Sequence, residues 1–182
     1  SADGCVVVVV ANEAKARKAP SQPLWILGSG FATDSPTLES RDWGNAEYAR
    51  LSARSAYRQA GIKSPHEVDF FEVDDTYAYK ELQHLIALGL YDKPAKAGHA
   101  IDAGETRQDG KMPVNVSGGA LGMGMALEAS GLYRVVELVL QLRGKAGERQ
   151  LSRAKIGLAQ SWRGVPTTSG AVVILGVEPP RG

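Results

Sequence analysis

Cysteine and histidine are scarce in this chain of 182 residues, which contains one cysteine and three histidines. A lone Cys5 excludes an internal disulfide, and its place before a valine run predicts a buried thiol rather than a nucleophile. His66, His84 and His99 have no cysteine or second histidine at ligand spacing, so we expect solvated side chains and no metal site.

Long apolar runs, a targeting pattern and an excess of one charge are also missing. No stretch approaches 18 consecutive apolar residues, and 21 basic residues face 20 acidic ones for a net charge of +1. We therefore expect a cytoplasmic protein that binds neither nucleic acid nor membrane. The phosphate-binding glycine motifs of dinucleotide and nucleotide sites are absent as well, so no such cofactor is predicted.

The order of apolar segments predicts an α/β domain with a mixed sheet and helices packed on it, of the βαβαβαββ type. A continuous β-branched run at Val6–Val10 predicts a strand that is covered on both faces. Residues 155–160 and 171–177 predict a closing antiparallel hairpin. With 43% hydrophobic residues, the chain can bury the core of one domain, which we take as residues 1–182.

Two acidic residues mark a junction in the middle of the chain. Residues 68–73 predict a buried strand, and Asp74 and Asp75 follow it as caps of a helix that extends to about Leu88. Residues 91–113 show no periodicity and predict a long loop, which is a common place for function.

The most informative segment is residues 114–131, which predicts a strand, a glycine-rich turn and the start of a helix. It resembles the thiolase loop Asn-x-x-Gly-Gly-x-x-x-x-Gly-His-Pro-x-Gly-Ala-Ser-Gly. The matching positions are Asn115, Gly118, Gly119, Gly124, Ala129, Ser130 and Gly131.

Three further segments extend the resemblance to the C-terminal half of the thiolase superfamily, over essentially the whole chain. They are residues 3–16, residues 69–73 and residues 157–159. The resemblance implies that residues 1–30 complete the sheet of an N-terminal half that this chain lacks.

The catalytic positions of the family are substituted. Met125 stands where the loop histidine is expected, and Trp162 aligns roughly with the hairpin cysteine that carries the proton. The family's Asn-Glu-Ala-Phe segment is replaced by residues 74–77, which keep an aspartate and an aromatic residue. Neither Met125 nor Trp162 can do acid/base work near neutral pH. Thiolase condensation by this chain alone is therefore not expected.

Superfamily members without the histidine and cysteine include retro-aldolases that act on β-hydroxyacyl-CoA thioesters, among them steroid side chains, together with an OB-fold partner. This resemblance implies an acyl-CoA substrate, no other cofactor, and a homo- or hetero-oligomer. The expected catalytic groups are Asp74, Asp75, Tyr77 and Tyr79. Their alternative roles are helix caps for the aspartates and packing for the tyrosines.

The expected substrate-binding residues follow from the glycine loop and the hairpin. Glycines allow close approach of backbone N–H groups to a thioester oxygen, and a methionine can line an apolar channel. These residues are Gly118, Gly119, Gly124, Met125, Trp162 and Arg163.

The retained acidic and phenolic groups favour an enzyme component that cleaves C–C bonds. Two other interpretations remain open. The chain could be a catalytically inactive subunit that binds lipid or acyl chains or has a structural role. It could also be a fragment of a longer thiolase-like protein.

Overall fold

The computed structural model describes residues 3–165 and 168–180, which form a four-stranded mixed sheet. The strands are β1 (Trp25–Thr33), β2 (Phe70–Glu72), β3 (Ile156–Arg163) and β4 (Ser169–Gly176), in the order β1-β4-β3-β2. β2 and β3 are parallel, whereas β4 is antiparallel to both of its neighbours. The predicted mixed sheet and closing hairpin are confirmed.

Helices connect and cover the strands. They are α1 (Glu13–Ala16), α2 (Glu47–Ala60), α3 (Ala78–Ala87), α4 (Pro94–Asp102), α5 (Gly119–Met123) and α6 (Ser130–Leu142). Gly61 ends α2 in the left-handed conformation, with φ of 68°, as its place after the helix predicts. Within the described ranges, no helix is both long enough and apolar enough to cross a membrane.

Both faces of β2, β3 and β4 are buried, because neighbouring residues of these strands enter different apolar clusters, whereas Ile26 and Phe31 of β1 are more than half exposed. Phe71, Leu158 and Ile174 pack with α2 and α3 on one face. Phe70 and Leu175 pack with α6 on the other face. This two-sided burial explains why the strands are apolar without alternation.

Two glycines in β1 allow α2 to lie directly on the strand. A Cβ atom at Gly28 would overlap the carbonyl oxygen of Ala56, and one at Gly30 would overlap that of Ser52. Ser52 also donates from its hydroxyl to the carbonyl oxygen of Gly170 at 2.9 Å. The helix is therefore fixed to both β1 and β4 by backbone contact.

The predicted strand at Val6–Val10 is wrong for this chain. Residues 5–12 form no strand, Val7 is 81% exposed and Val9 is 88% exposed, and Cys5 is exposed rather than buried. A β-branched run becomes a strand only when another strand accepts its backbone hydrogen bonds. Within residues 3–165 and 168–180 no strand pairs with this run.

Two other predictions need correction. The segment 91–113 is not a continuous loop, because α4 lies within it and buries Ala97 and Ala100. Its alanines are too small to give a clear apolar period. The predicted strand after this segment is reduced to one bridge between Phe71 and Val114 at the sheet edge.

The contact between β1 and α2 generates a stability prediction. We expect Gly30→Ala to lower the free energy of unfolding by about 2 kcal/mol or more, because the added methyl group meets helix backbone that cannot move aside cheaply. Urea denaturation measures the change. Gly98→Ala, inside α4 with open space around it, is the control and should be neutral or stabilising. Equal stabilities of the two variants would contradict the close approach.

Candidate functional site

The glycine loop, residues 117–131, is fixed to the end of β2 by the carboxylate of Asp75. This carboxylate accepts hydrogen bonds from the backbone nitrogens of Ala120, at 2.6 Å, and Leu121, at 3.4 Å. Gly119 has φ of 61°, and a Cβ atom there would overlap the Asp75 carboxylate. Asp75 therefore caps α5, across the loop, and not the helix that follows it in sequence as predicted.

Asp74 is also engaged, in a buried ion pair with Arg134 of α6. Its carboxylate lies 2.9 Å from Nη2 of Arg134, and both side chains are almost fully buried. Asp74 also accepts from the backbone nitrogen of Thr76 at 3.1 Å, and Nε of Arg134 donates to the carbonyl oxygen of Val73. The predicted acidic pair thus lies at the root of the loop, with both carboxylates hydrogen-bonded within the protein.

The two predicted tyrosines stack beside this root. The rings of Tyr77 and Tyr79 are 5.9 Å apart, and each residue is slightly more than half exposed. Tyr77 also meets the Trp162 ring edge to face at 6.5 Å. A phenol is therefore available to solvent or a ligand where β2 and β3 end.

A cavity of about 440 Å³ opens next to these rings. Its lining includes Met125, Trp162 and Arg163, three of the predicted binding residues, together with Phe31 and Leu127. Met125 contacts the hydroxyl of Thr76, which donates to its sulfur at 3.5 Å. The cavity is mainly apolar, with charged groups at Arg163 and Glu128.

The predicted glycines lie on the other side of the loop. Gly119 and Gly124 line a separate cavity of about 250 Å³, and Gly118 begins the turn with φ of 97°. The structure therefore divides the predicted binding set between two cavities. In the described part of the chain, no group of three or more His, Cys, Asp or Glu side chains could hold a metal ion.

Residues 30–177 match the family model described as "Thiolase C-terminal domain-like". The chain belongs to this thiolase C-terminal family. It is 33% identical over 168 residues to an acetyl-CoA acetyltransferase of Methanothermobacter thermautotrophicus, a match that covers 92% of this chain and 43% of that protein. It is 32% identical over 180 residues to human sterol carrier protein 2, with 96% of this chain and 32% of that protein covered.

Solved structures show the same relationship. The thiolase-like chain superposes on a chain of "Ltp2-ChsH2(DUF35) aldolase" with a TM-score of 0.75 and 25% identity, covering 90% of this chain and 42% of that one. It matches the fold of human mitochondrial 3-ketoacyl-CoA thiolase with a TM-score of 0.56 over 83% of this chain and 29% of that one. The chain thus spans less than half the length of the relatives described.

Buried polar side chains that the sequence did not reveal are joined by hydrogen bonds behind this thiolase-like site. His84 is fully buried, not solvated as expected; its Nδ1 donates to the carbonyl oxygen of Asp74 at 2.7 Å, and its Nε2 accepts from the Tyr48 hydroxyl at 2.9 Å. Burial lowers the pKa of His84 to about 4. No local pattern marks this residue, because its partners come from α2 and from the end of β2.

Glu72 is the second functional candidate that the sequence did not reveal. It is fully buried, and its carboxylate accepts from the Ser117 nitrogen at 3.1 Å and the Ser117 hydroxyl at 2.5 Å. Burial raises the pKa of Glu72 to about 7, against the lowering effect of the two Ser117 hydrogen bonds. The family resemblance places Glu72 in a strand and implies no functional role for it.

Glu72 should make stability depend on pH. Because its pKa is about 7 in the folded protein and 4.5 as the reference for the unfolded chain, the native state retains the proton longer, and the free energy of unfolding falls as pH rises between these values. The glutamine of Glu72→Gln cannot ionise. As pH rises across this range, the free energy of unfolding of this variant, measured relative to that of the wild type, should therefore increase by about 3 kcal/mol.

Urea denaturation at several pH values between 4 and 8 measures this effect. The exposed Glu148→Gln is the matched control and should show no such trend. Parallel pH curves for Glu72→Gln and the wild type would contradict the buried, protonated carboxyl.

The Asp75 cap predicts a local effect on the glycine loop. Asp75→Ala should remove both acceptors, cost about 1–2 kcal/mol of stability and speed hydrogen exchange at the amides of Ala120 and Leu121. Asp75→Asn keeps one acceptor oxygen and should be intermediate. Exchange followed by NMR tests this, with the exposed Asp109→Ala as control. Unchanged exchange in Asp75→Ala would show that the cap does not hold the loop.

Proposed function

We propose that this chain is the C-terminal component of a thiolase-fold enzyme that cleaves a C–C bond in a β-hydroxyacyl-CoA thioester. The observation that carries the proposal is the apolar cavity of about 440 Å³ at the thiolase loop, lined by Met125 and Trp162, with the exposed Tyr77 ring against Trp162. Apolar wall residues thus occupy the family's imidazole and thiol positions, and the Tyr77 phenol ring contacts one of them, Trp162.

A retro-aldol reaction fits such a site because it needs proton transfer but no thiol nucleophile. The β-hydroxyl gives up its proton, the bond between Cα and Cβ breaks, and Cβ becomes a carbonyl carbon. The electron pair passes to Cα as the thioester enolate, which then takes up one proton. The products are a ketone or aldehyde and a shorter acyl-CoA, and no oxidant or reductant is consumed.

Tyr77 is the residue that we assign to this proton transfer, with Tyr79 stacked on it. Asp74 and Asp75 are better suited to hold the loop, since Arg134 and the α5 amides already bind their carboxylates. Backbone N–H groups of the glycine loop, residues 117–131, are the candidate partners of the thioester oxygen. Gly118, Gly119 and Gly124 shape this loop through their positive φ angles, while their own N–H groups donate to other groups of the chain.

A structural similarity supports the aldolase assignment over a thiolase assignment. The neighbour with a TM-score of 0.75 is named as an aldolase, and its name joins two components. We extend this to the present chain as a proposal: it works in an oligomer, with an OB-fold protein as the expected partner. The steroid side chain remains one candidate acyl group among those that an apolar cavity accepts.

A second candidate function is an acyl- or lipid-binding subunit without catalysis. It is favoured by the hydrogen bonds that engage both aspartates and by the similarity to sterol carrier protein 2. The two functions share the cavity and differ in whether Tyr77 transfers a proton.

The test is turnover of a β-hydroxyacyl-CoA by the protein purified with the chains that accompany it. Tyr77→Phe should lower kcat about 100-fold or more while acyl-CoA binding remains, since a positioned acid or base contributes about that factor. The control is Tyr91→Phe, which removes a hydroxyl from a ring that packs against the core cluster containing Phe71 and Leu158. Released ketone or aldehyde and shortened acyl-CoA are measured by mass spectrometry.

The outcomes separate the two functions. Wild-type cleavage that Tyr77→Phe leaves unchanged would remove Tyr77 from the mechanism. Acyl-CoA binding without cleavage by the wild type would establish the binding role instead.

A further inference from the structure

Lys80 is an almost buried cation enclosed by aromatic rings. It lies in α3 and is 7% exposed, and its Nζ is 4.6 Å from the centre of the Trp162 ring, 5.5 Å from Tyr79 and 5.8 Å from Tyr48. Its hydrogen bonds go to Oε1 of Gln83 at 2.8 Å and to the Tyr48 hydroxyl at 3.5 Å. Among the described residues, no carboxylate forms a salt bridge with it.

A lysine in this position is costly unless the rings stabilise its charge. Burial lowers the pKa of Lys80, while the negative charges of Asp74 and Asp34 oppose that change from a distance. The faces of aromatic rings carry partial negative charge and attract an ammonium group, most strongly where water is excluded. The Trp162 face, as the nearest of the three, is the principal partner.

The Trp162 indole depends on such ring contacts for its orientation. Its Nε1 is buried and has no hydrogen-bond partner among residues 3–165 and 168–180. The ring stacks on Tyr48 at 6.4 Å and meets Tyr77 edge to face. A buried indole N–H usually finds an acceptor, so here stacking and the Lys80 cation replace the usual anchor.

We propose that Lys80 is a positioning residue that holds the Trp162 indole as a wall of the larger cavity and against Tyr77. The link is direct, because Lys80 lies 4.6 Å from the Trp162 ring and Trp162 lines that cavity. Lys80 itself is absent from the cavity lining, so it acts through the ring and not on a ligand. That the cavity receives an acyl chain rests on the proposed function; the placement of the indole does not.

The first experiment observes the indole itself. In protein labelled with 5-fluorotryptophan, the fluorine NMR signal of Trp162 is identified by Trp162→Phe, and Trp25 in β1 provides the internal reference for an intact fold. Lys80→Met should shift and broaden the Trp162 signal and leave the Trp25 signal unchanged. Lys80→Arg keeps a cation and should restore a single sharp signal, whereas the exposed Lys111→Met should change nothing. An unchanged Trp162 signal in Lys80→Met would overturn the inference.

The second experiment measures binding of octanoyl-CoA to the same variants. We expect about tenfold weaker binding by Lys80→Met, recovery in Lys80→Arg and no change in Lys111→Met. Equal affinities of Lys80→Met and the wild type would show that the indole orientation does not shape the cavity and would overturn that part of the inference. Absence of binding to the wild type would instead overturn the proposed function, while the fluorine signals would still decide the role of Lys80.

Discussion

The hydrogen bonds between the Asp75 carboxylate and the first amides of α5 are the constraint on which the site depends. They join the end of β2 to a loop more than 40 positions later in the chain, at 2.6 Å from the Ala120 nitrogen. Gly119 must lack a side chain for the carboxylate to reach that position. Because Glu72 binds Ser117 and Asp74 binds Arg134, three acidic side chains at positions 72, 74 and 75 connect the strand end to the loop and to α6.

This arrangement holds the glycine loop of a thiolase C-terminal domain without help from Met125 or Trp162, the two positions where the family resemblance implies catalytic groups. The carboxylates of Asp75 and Glu72 hold the loop through its backbone N–H groups and the Ser117 hydroxyl, and Met125 and Trp162 line the larger cavity. Their apolar surfaces make a cavity wall where acid/base groups are expected. The remaining polar groups lie behind or beside this wall: Tyr77 contacts the Trp162 ring and stacks on Tyr79, and His84, Tyr48 and Lys80 are joined by hydrogen bonds.

The structure brings some residues of the predicted site together and separates others. Met125, Trp162 and Arg163 line one cavity, whereas Gly119 and Gly124 line another, because the loop presents opposite sides to the two. Asp75 caps a helix as expected, but the helix is α5 and not α3, which follows Asp75 in sequence. His84 was expected to be solvated, but α3 buries it against rings of α2 and β3 that sequence spacing does not bring near.

By itself, the sequence determined the mixed α/β sheet, the hairpin and the family, because apolar runs, turn residues and the glycine loop are local signals. Only the tertiary structure decided which polar residues are buried, which cavity each binding residue lines, and that Val6–Val10 has no strand partner among the described residues. Burial and charge pairing depend on groups that are distant in the chain. The glycines of β1 are a further example. Side chains are excluded at these positions only because α2 packs directly against the strand.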